Sequence, residues 1–263
     1  MERENPGLTV TILGSGTCVP SLQRGSCSVL MQTGAAHLLF DSGPGTMRRL
    51  LEAGTTIFDL NYLCYSHFHP DHSAELVPLI FATKYPDDTR RQSPLTILAG
   101  RGLTDFFAGL KAVYGPWIEL APGLLKFVEF DNTARDRKKF SGFSIETAPV
   151  EHNPESVAYR ITSADGSSVV YSGDTDFSEN LIELATDTDL LICESAMPDS
   201  LQVKGHLTPS MAGDIATRAG ARKLVLTHFY PDCENVDITR ECRKTYSGPL
   251  LLAEDLMELK VIR

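Results

Sequence analysis

One ten-residue pattern occurs in each half of this chain and constrains the fold more than any other feature. The stretch LCYSHFHPDH occupies positions 63–72, and LVLTHFYPDC occupies positions 224–233. Both read as an apolar strand that runs into a His-Phe-x-Pro-Asp turn, with Tyr and Cys in the second copy where the first has His69 and His72. Unless the match arose by chance in a short window, the chain contains two related strand–loop–helix units.

Length and composition fit one globular domain that spans residues 1–263. Hydrophobic residues make up 42% and charged residues 22% of the sequence, as is ordinary for a chain with a large core. The net charge of −10 opposes binding to phosphate backbones in general. We interpret the short basic run RDRKKF (135–140) as a solvated loop. Duplex DNA is therefore not expected as a partner.

Neither targeting nor membrane insertion is indicated. The start MERENPGLTV lacks a basic segment followed by an apolar one, and no apolar run is long enough to span a bilayer. The six cysteines form no C-x-x-C pair, which favours reduced thiols. A cytoplasmic protein without a membrane partner is predicted.

Strand-like and helix-like runs alternate along the chain, which predicts a mixed α/β fold. The predicted strands are 8–13, 27–32, 37–41, 61–66, 95–99, 125–130, 143–150, 156–161, 168–173, 190–195, 223–228, 249–253 and 257–262. The predicted helices are 46–54 with Gly54 as its stop, 73–85 interrupted by Pro78, 101–114, 209–220 and one near 234–244.

The first copy of the repeated pattern carries the densest group of metal-ligand residues. His67, His69, Asp71 and His72 follow a strand, and Pro70 predicts a loop because proline disfavours a helical residue before it. Imidazole and carboxylate are ligands of zinc, iron and similar metals. The H-x-H-x-D-H spacing is too tight for one ion to take all four side chains, so it favours two ions. A polar surface turn is the alternative, but three of the seven histidines lie here.

HFHPDH matches the H-x-H-x-D-H signature of the metallo-β-lactamase superfamily, which the chain resembles from about ILGSGT to THFYP. The remaining motif residues occur in order, with His152 in APVEHNPESVAYRI, Asp174 in VVYSGDT and His228 in LVLTHF. The resemblance implies an α/β fold, a four-layer αββα sandwich of two similar halves. Such a fold would explain the repeated pattern.

The resemblance also implies two divalent metal ions per chain. The ions would share a water and generate hydroxide as the nucleophile, which Asp71 would also orient. Zinc is expected, with manganese or iron as alternatives. The implied ligands are His67, His69 and His152 for the first ion, Asp71, His72 and His228 for the second, and Asp174 as the bridge.

Taken singly, the distant motif residues have structural explanations. His152 could be a loop histidine, Asp174 a turn residue and His228 a hydrogen-bonded core histidine. Asp41 in LLFDSGPG matches the aspartate of the family's first motif and would orient a ligand histidine. A simple turn before a helix explains Asp41 equally well.

The stretch GHLTP (205–209) narrows the range of reactions that the chain could catalyse. It resembles the His-x-Thr motif of ribonuclease Z and related phosphodiesterases, and ICES (192–195) resembles the Glu-containing segment that accompanies it. By this resemblance His206 would donate a proton to the leaving alkoxide, with Glu194 holding its ring. Thr208 before a proline also fits a helix N-cap.

The leading hypothesis is a binuclear phosphodiesterase, similar to ribonuclease Z, that acts on small diesters such as cyclic or short nucleotide diesters. Ribonuclease Z has a long tRNA-gripping arm after the third-motif histidine, whereas only two strands and the turn SADGSS separate His152 from Asp174. Short RNA stays open as a substrate, and so does an armless tRNA 3′-processing endonuclease. The family resemblance suggests a homodimer.

Other activities on this fold remain as alternatives. They are a carboxylic ester, thioester or lactone hydrolase on the same metals, a metal-loaded sensor that should have lost a ligand, and a mononuclear iron oxygenase. The segment 86–140 could shape substrate entry, and its aromatic residues could stack on a base. We interpret those residues as core: Phe106, Phe107, Tyr114 and Trp117.

Overall fold

The structure is a computed structural model that describes residues 7–85 and 90–263. Its strands are β1 Leu8–Gly14, β2 Ser28–Thr33, β3 Ala36–Phe40, β4 Tyr62–Cys64, β5 Leu95–Gly100, β6 Leu125–Phe130, β7 Asp136–Phe140, β8 Phe143–Pro149, β9 Val157–Ser163, β10 Ser168–Tyr171, β11 Leu190–Glu194, β12 Leu224–Thr227, β13 Leu250–Leu252 and β14 Met257–Val261. Its α-helices are α1 Thr46–Glu52, α2 Pro70–Ser73, α3 Leu76–Ala82, α4 Leu103–Tyr114, α5 Glu179–Leu184, α6 Pro209–Ala219 and α7 Ile238–Cys242. Three 3-10 helices complete it: η1 Gly115–Ile118, η2 Asp199–Leu201 and η3 Pro231–Asn235.

Two seven-stranded sheets stack face to face between two layers of helices. The first sheet has the order β14-β1-β2-β3-β4-β5-β6, and the second has the order β13-β12-β11-β10-β9-β8-β7. Aromatic rings join the two sheets in the buried core: Phe40 lies 5.4 Å from Tyr159 and 5.9 Å from Tyr171 between ring centroids. A second apolar cluster fills the space under α1, α3 and α4. The α/β class and the αββα sandwich predicted from the sequence are confirmed.

Parallel strands in both sheets deliver the motif residues to one edge. Strands β3 to β6 are parallel neighbours, and so are β10 to β13. Ligand sites in α/β proteins lie outside the carboxyl ends of such strands. Asp41 follows β3, His67 follows β4 after two residues, Asp174 follows β10, and His228 follows β12 directly.

The backbone of the first cluster is only partly the predicted loop. His67 to His69 lie in a loop, but Pro70 begins the short helix α2, which carries Asp71 and His72. Proline fits the first helical position because its fixed φ suits a helix and the missing N–H has no helical partner there. It restricts only the residue before it, and His69 is accordingly extended, with ψ 148°.

The helix predicted over 73–85 breaks at a different place from the one expected. Pro78 lies in the first turn of α3, where a proline costs no helical hydrogen bond. The interruption falls instead between α2 and α3, at Ala74 and Glu75. The Glu75 carboxylate accepts bonds from the Gly45 and Met47 amides at the start of α1, both 2.6 Å. Glu75 therefore fastens α1 against the segment that carries the cluster.

The interpretation of RDRKKF as a solvated loop is wrong. Residues 136–140 form β7, the last strand of the second sheet, paired antiparallel to β8. Arg137 and Lys139 are exposed, whereas Asp136, Lys138 and Phe140 are half-buried. The charged alternation is typical of an edge strand whose charges discourage further pairing.

The assignment of four aromatic residues to the core is half wrong. Phe107 is buried and Phe106 stacks on Phe68 with centroids 4.4 Å apart, but Tyr114 is 45% and Trp117 is 57% exposed. Tyr114 ends α4 and Trp117 lies in η1, which packs on α3 and α4, so both rings lie on the outer helix layer. Within the segment 86–140, residues 86–89 lie outside the described part.

Three smaller comparisons with the sequence predictions concern the C-terminal helix, the helix α5 and membrane-spanning segments. The helix predicted near 234–244 is divided into η3 and α7, because Asp237 caps a new start by accepting a bond from the Arg240 amide. The short helix α5 was not predicted, although Ser178 caps its start by accepting a bond from the Leu181 amide. Across the described ranges, no helix combines the length and apolar character that a bilayer crossing needs.

Candidate metal centre

Six side chains converge around the buried carboxylate of Asp174, so that the cluster contains seven side chains from both sheets. Its Oδ1 lies 3.3 Å from Nε2 of His72 and 3.4 Å from Nε2 of His228. Its Oδ2 lies 3.7 Å from Nε2 of His67 on the other side. A carboxylate whose two oxygens face different histidines suits a position between two cations.

The converging side chains form two sets that correspond to those the family resemblance implied, and a third group, Asp174, His206 and His228, overlaps both. In each set the potential ligand atoms lie within 4.8 Å of one another. His69 and His152 are also in direct proximity, with Nδ1 and Nε2 3.2 Å apart. The sets are His67, His69, His152 and Asp174, and Asp71, His72 and His228.

Asp41 is more than a turn residue. Its buried carboxylate accepts bonds from the Ser66 amide and hydroxyl, both 2.8 Å, from Nδ1 of His72 at 2.8 Å and from the Tyr171 hydroxyl at 2.7 Å. Its φ of 57° is left-handed, a conformation that aspartate tolerates better than most residues. Asp41 therefore holds a histidine of the cluster directly.

The same network fixes the tautomers that His67 and His72 adopt when they are uncharged, as metal ligands must be. His72 donates its Nδ1–H to Asp41, so Nε2 keeps a lone pair. The Ser66 hydroxyl donates its single proton to Asp41, so it must accept from Nδ1 of His67, 3.0 Å away. Both rings therefore present the Nε2 lone pair to Asp174.

The converging atoms require positive charge. Nε2 of His67 and Oδ1 of Asp174 are buried without a hydrogen-bond partner, and Nε2 of His72 and Nε2 of His228 face each other at 3.3 Å. Such contacts are unfavourable unless a proton or a metal ion lies among them. Burial lowers the pKa of His72, but the charges of Asp174 and Asp41 hold it well above its usual value. Nitrogen and oxygen donors in this arrangement fit divalent transition metals.

His67 and Asp174 have the protonation states that metal ligands need. Burial, and then the neighbouring His72, hold the pKa of His67 well below its usual value. Burial raises the pKa of Asp174, but His228 and His72 outweigh it and hold that pKa well below its usual range. At neutral pH His67 is thus uncharged and Asp174 is a carboxylate, as ligands must be.

His206 lies beside the cluster and is held by Glu194. Nδ1 of His206 is 3.0 Å from Oε1 of Glu194 and 3.9 Å from Oδ2 of Asp174. Buried Glu194 also accepts bonds from the Thr175 and Leu207 amides, at 2.7 and 3.2 Å. Burial lowers the pKa of His206, but the bond to Glu194 and its charge raise it to about 9.

Thr208 does not cap α6 in the predicted way. It has the extended backbone of an N-cap residue before Pro209, but its side chain accepts no bond from the first turn. Asp199 instead accepts a bond from the Ser210 amide at 3.1 Å.

Sequence reasoning missed three residues that contact the cluster. Ser66 and Asn153 each stand next to a motif histidine, a signal that was available. Tyr171, whose hydroxyl reaches Asp41 across the two sheets, carried no such signal.

Comparison with known families places most of the chain in one group. The model of the beta-lactamase superfamily domain matches residues 37–229. The chain is 27% identical to the ribonuclease Z of Methanosarcina acetivorans over 306 aligned positions, which cover 97% of this chain and 98% of that protein. Because the alignment is longer than the 263 residues of this chain, the relative contains segments that this chain lacks.

Two solved structures have the same architecture. The metallo-β-lactamase fold protein YhfI from Bacillus subtilis superposes with a TM-score of 0.83 at 25% identity, over 96% of this chain and 99% of that one. The short form of human tRNase Z superposes with a TM-score of 0.77 at 23% identity, over 97% of this chain and 100% of that one.

Proposed function

This chain belongs to the beta-lactamase superfamily, and from that premise we propose that it is a metal-dependent hydrolase of small phosphodiesters. The observation that carries the proposal is His206, held by buried Glu194 only 3.9 Å from the central carboxylate of Asp174. A histidine so placed can protonate a leaving alkoxide, as cleavage of a phosphodiester with a poor leaving group needs and thioester cleavage does not.

We propose that the cluster holds two divalent ions, with zinc as the expected metal and manganese or iron as alternatives. Ions bound there would supply positive charge to the phosphoryl group and activate water for attack. The division of the ligands into two sets on either oxygen of Asp174 supports a count of two. The proposed ligands are His67, His69 and His152 for one ion, Asp71, His72 and His228 for the other, and Asp174 for both.

Asp71 is the proposed acceptor of the proton from the attacking water. Its Oδ2 lies 3.7 Å from Nε2 of His228 and 3.8 Å from Nε2 of His72, so it borders the second set. Its side chain keeps 12% of its surface accessible, whereas Asp174 keeps 3%. Asp71 can therefore reach both the cluster and entering water.

The structure between the third-motif histidine and Asp174 favours small substrates. Only β9 and β10 lie there, joined by the tight turn around Asp165, whose carboxylate accepts the Ser167 amide at 2.9 Å. No arm projects from this part of the described chain, and the net charge of −10 opposes a long RNA. Cyclic and short nucleotide diesters are the proposed substrates. The likeness to a ribonuclease Z supports tRNA 3′ processing without an arm as the second candidate.

Hydrolysis of bis(p-nitrophenyl) phosphate by protein reloaded with zinc or manganese tests this function. We expect activity that disappears in Asp71→Ala. Cyclic nucleotides, a short oligonucleotide and a tRNA precursor, assayed side by side, then separate the two candidate substrate classes. Absence of diester hydrolysis in folded protein that carries two ions would overturn the proposal and favour a carboxylic ester, thioester or lactone hydrolase.

We further propose that the chain works as one domain, because the cluster takes side chains from both sheets. The homodimer and the cytoplasmic location remain predictions from the sequence. Sedimentation of the metal-loaded protein would test the dimer.

A further inference from the structure

We propose that Asn153 is a positioning residue that orients His69 for metal binding through Nδ1. The inference rests on the metal centre of the proposed function. His69 is the one candidate ligand histidine that presents Nδ1 instead of Nε2 to the cluster. The proposal assigns Asn153 as the partner of its Nε2.

Three ligand histidines use Nδ1 for orientation and keep Nε2 for the cluster. His67 bonds Ser66 through Nδ1, and His72 bonds Asp41 through the same atom. His152 donates its Nδ1–H to the carbonyl oxygen of Gly205 at 2.8 Å. Metal-binding histidines generally donate the second ring N–H to such an acceptor, which fixes the ring and its tautomer.

His69 is arranged the other way round. Its Nδ1 lies 3.2 Å from Nε2 of His152 inside the cluster, and its Nε2 lies 3.0 Å from the side-chain amide of Asn153. If Nδ1 binds an ion, Nε2 carries the hydrogen and needs an acceptor. Nδ2 of Asn153 is the atom that faces Nε2 in the structure. A 180° turn of the carboxamide places Oδ1 at the same point, where it can accept the Nε2–H of His69.

The need for a partner is greatest at His69. It is the exposed member of its set, whereas His67 is buried and His152 is half-buried. Packing therefore holds its ring least, and a fixed hydrogen-bond partner has the most to contribute there.

Asn153 is itself held rigidly by its own turn. Its backbone amide donates to the Ser156 hydroxyl at 3.0 Å, and its carbonyl accepts from the Ser156 amide at 2.9 Å. Asn132 steadies the same turn from outside by donating to the Pro154 carbonyl at 2.9 Å. The turn after β8 thus supplies one ligand, His152, and orients another that follows β4 in the other sheet.

Competition with a chromophoric chelator, which measures the zinc affinity of the whole chain, tests the proposal. We expect Asn153→Leu to lower the affinity of the chain for one of the two zinc ions by about 10- to 100-fold. Asn153→Asp keeps an acceptor at the same position and should stay within a few-fold of the unaltered chain. Asn132→Ala is the matched control, since it removes a bond to the same turn without touching His69, and its affinity should not change.

Two results would overturn the assignment. One is an Asn153→Leu variant, shown by circular dichroism to be folded, that binds zinc as tightly as the unaltered chain. The other is an equal loss in Asn132→Ala, which would attribute the effect to the turn as a whole. Diester hydrolysis is measured in a separate assay. If the unaltered chain binds two ions but cleaves no diester, the proposed function is refuted, and the zinc affinities of the variants still decide the role of Asn153. An unaltered chain that binds no zinc refutes both.

Discussion

The two turns that share the His-Phe-x-Pro-Asp sequence have similar backbones around the proline, but they differ at the first histidine and in their chemistry. After β4, His69 is extended at φ −58° and ψ 148°, and Pro70 begins α2. After β12, Tyr230 is extended at φ −72° and ψ 158°, and Pro231 begins η3. In both, proline at the first helical position fixes where the helix starts.

The side chains of the two turns diverge in function. The first turn contributes four polar side chains to the candidate metal centre, and the second contributes a single histidine. Cys233, aligned with His72, is buried, and its thiol lies 3.2 Å from the Ala196 carbonyl. Asp232, aligned with Asp71, is exposed.

The comparison shows that the strand and the proline turn form a common scaffold, and that a few side chains decide what each copy can bind. The second turn has lost the residues that would make it bind a cation by itself. Its remaining histidine, His228, has a left-handed φ of 62° and a buried Nδ1 without a hydrogen-bond partner. The equivalent nitrogen in the first turn, on His67, is satisfied by Ser66.

The largest expected effect separates the two aligned aspartates. Asp71→Ala should lower kcat/KM for bis(p-nitrophenyl) phosphate by at least about 10³-fold, because it removes the proposed proton acceptor, which is also a proposed metal ligand. Asp232→Ala, at the same position of the second turn, should stay close to the unaltered activity. A comparable loss in both variants would mean that the turns share their function after all.

The second effect concerns His206, the proposed proton donor beside the second turn. His206→Ala should slow diesters with alkyl leaving groups by about 10²-fold and p-nitrophenyl diesters by less than about tenfold, because only the poor leaving group needs a proton. His37→Ala, a histidine in β3 away from the centre, is the control. Equal losses on both substrate types would remove the proton-donor role.

The third effect tests the network that only the first turn has. Asp41→Asn should weaken metal binding by about 10- to 100-fold, since an amide cannot accept all the bonds that the carboxylate takes from Ser66, His72 and Tyr171. Loss of buried hydrogen bonds should also lower the free energy of unfolding by about 1–3 kcal/mol. Metal titration and urea denaturation of the metal-free protein measure these separately. Asp59→Asn, at an exposed turn, should change neither.

The smallest effect lies in the second turn. Cys233→Ala should lower the free energy of unfolding by about 1 kcal/mol, through lost packing and a lost weak bond to Ala196. Diester hydrolysis by the loaded protein should not change. Urea denaturation measures the change in stability, and the diester assay measures kcat. A fall in kcat without a change in the free energy of unfolding would show that Cys233 affects the chemistry.

Local motifs predicted the fold and named residues that converge in the structure, because four of the candidate ligands are close in sequence and the other three each follow an apolar strand. The role of Asp41 could not be separated from that of a turn, since its partner His72 reaches it only through the parallel pairing of β3 with β4. Asn153 escaped notice for a similar reason, as its contact with His69 joins the two halves.

The errors had other physical causes. Alternating charges made β7 look like a loop, because an edge strand has one partner and little apolar surface to reveal it. Trp117 was placed in the core because large aromatic residues are usually buried, whereas here it lies on the outer helix layer.

The pairing of β14 with β1 has a consequence for how the molecule is made. Leu8 lies opposite Val261, and the register continues to Ile12 opposite Met257. A nascent chain that emerges from its N-terminus therefore exposes the free edge of β1 throughout synthesis, until residues 257–261 arrive to cover it. Contacts of such large sequence separation form slowly, and an open edge invites pairing with other chains. The edge of β1 is thus open to pairing with other chains until β14 is made, which happens only after every residue of the candidate metal centre has been synthesised.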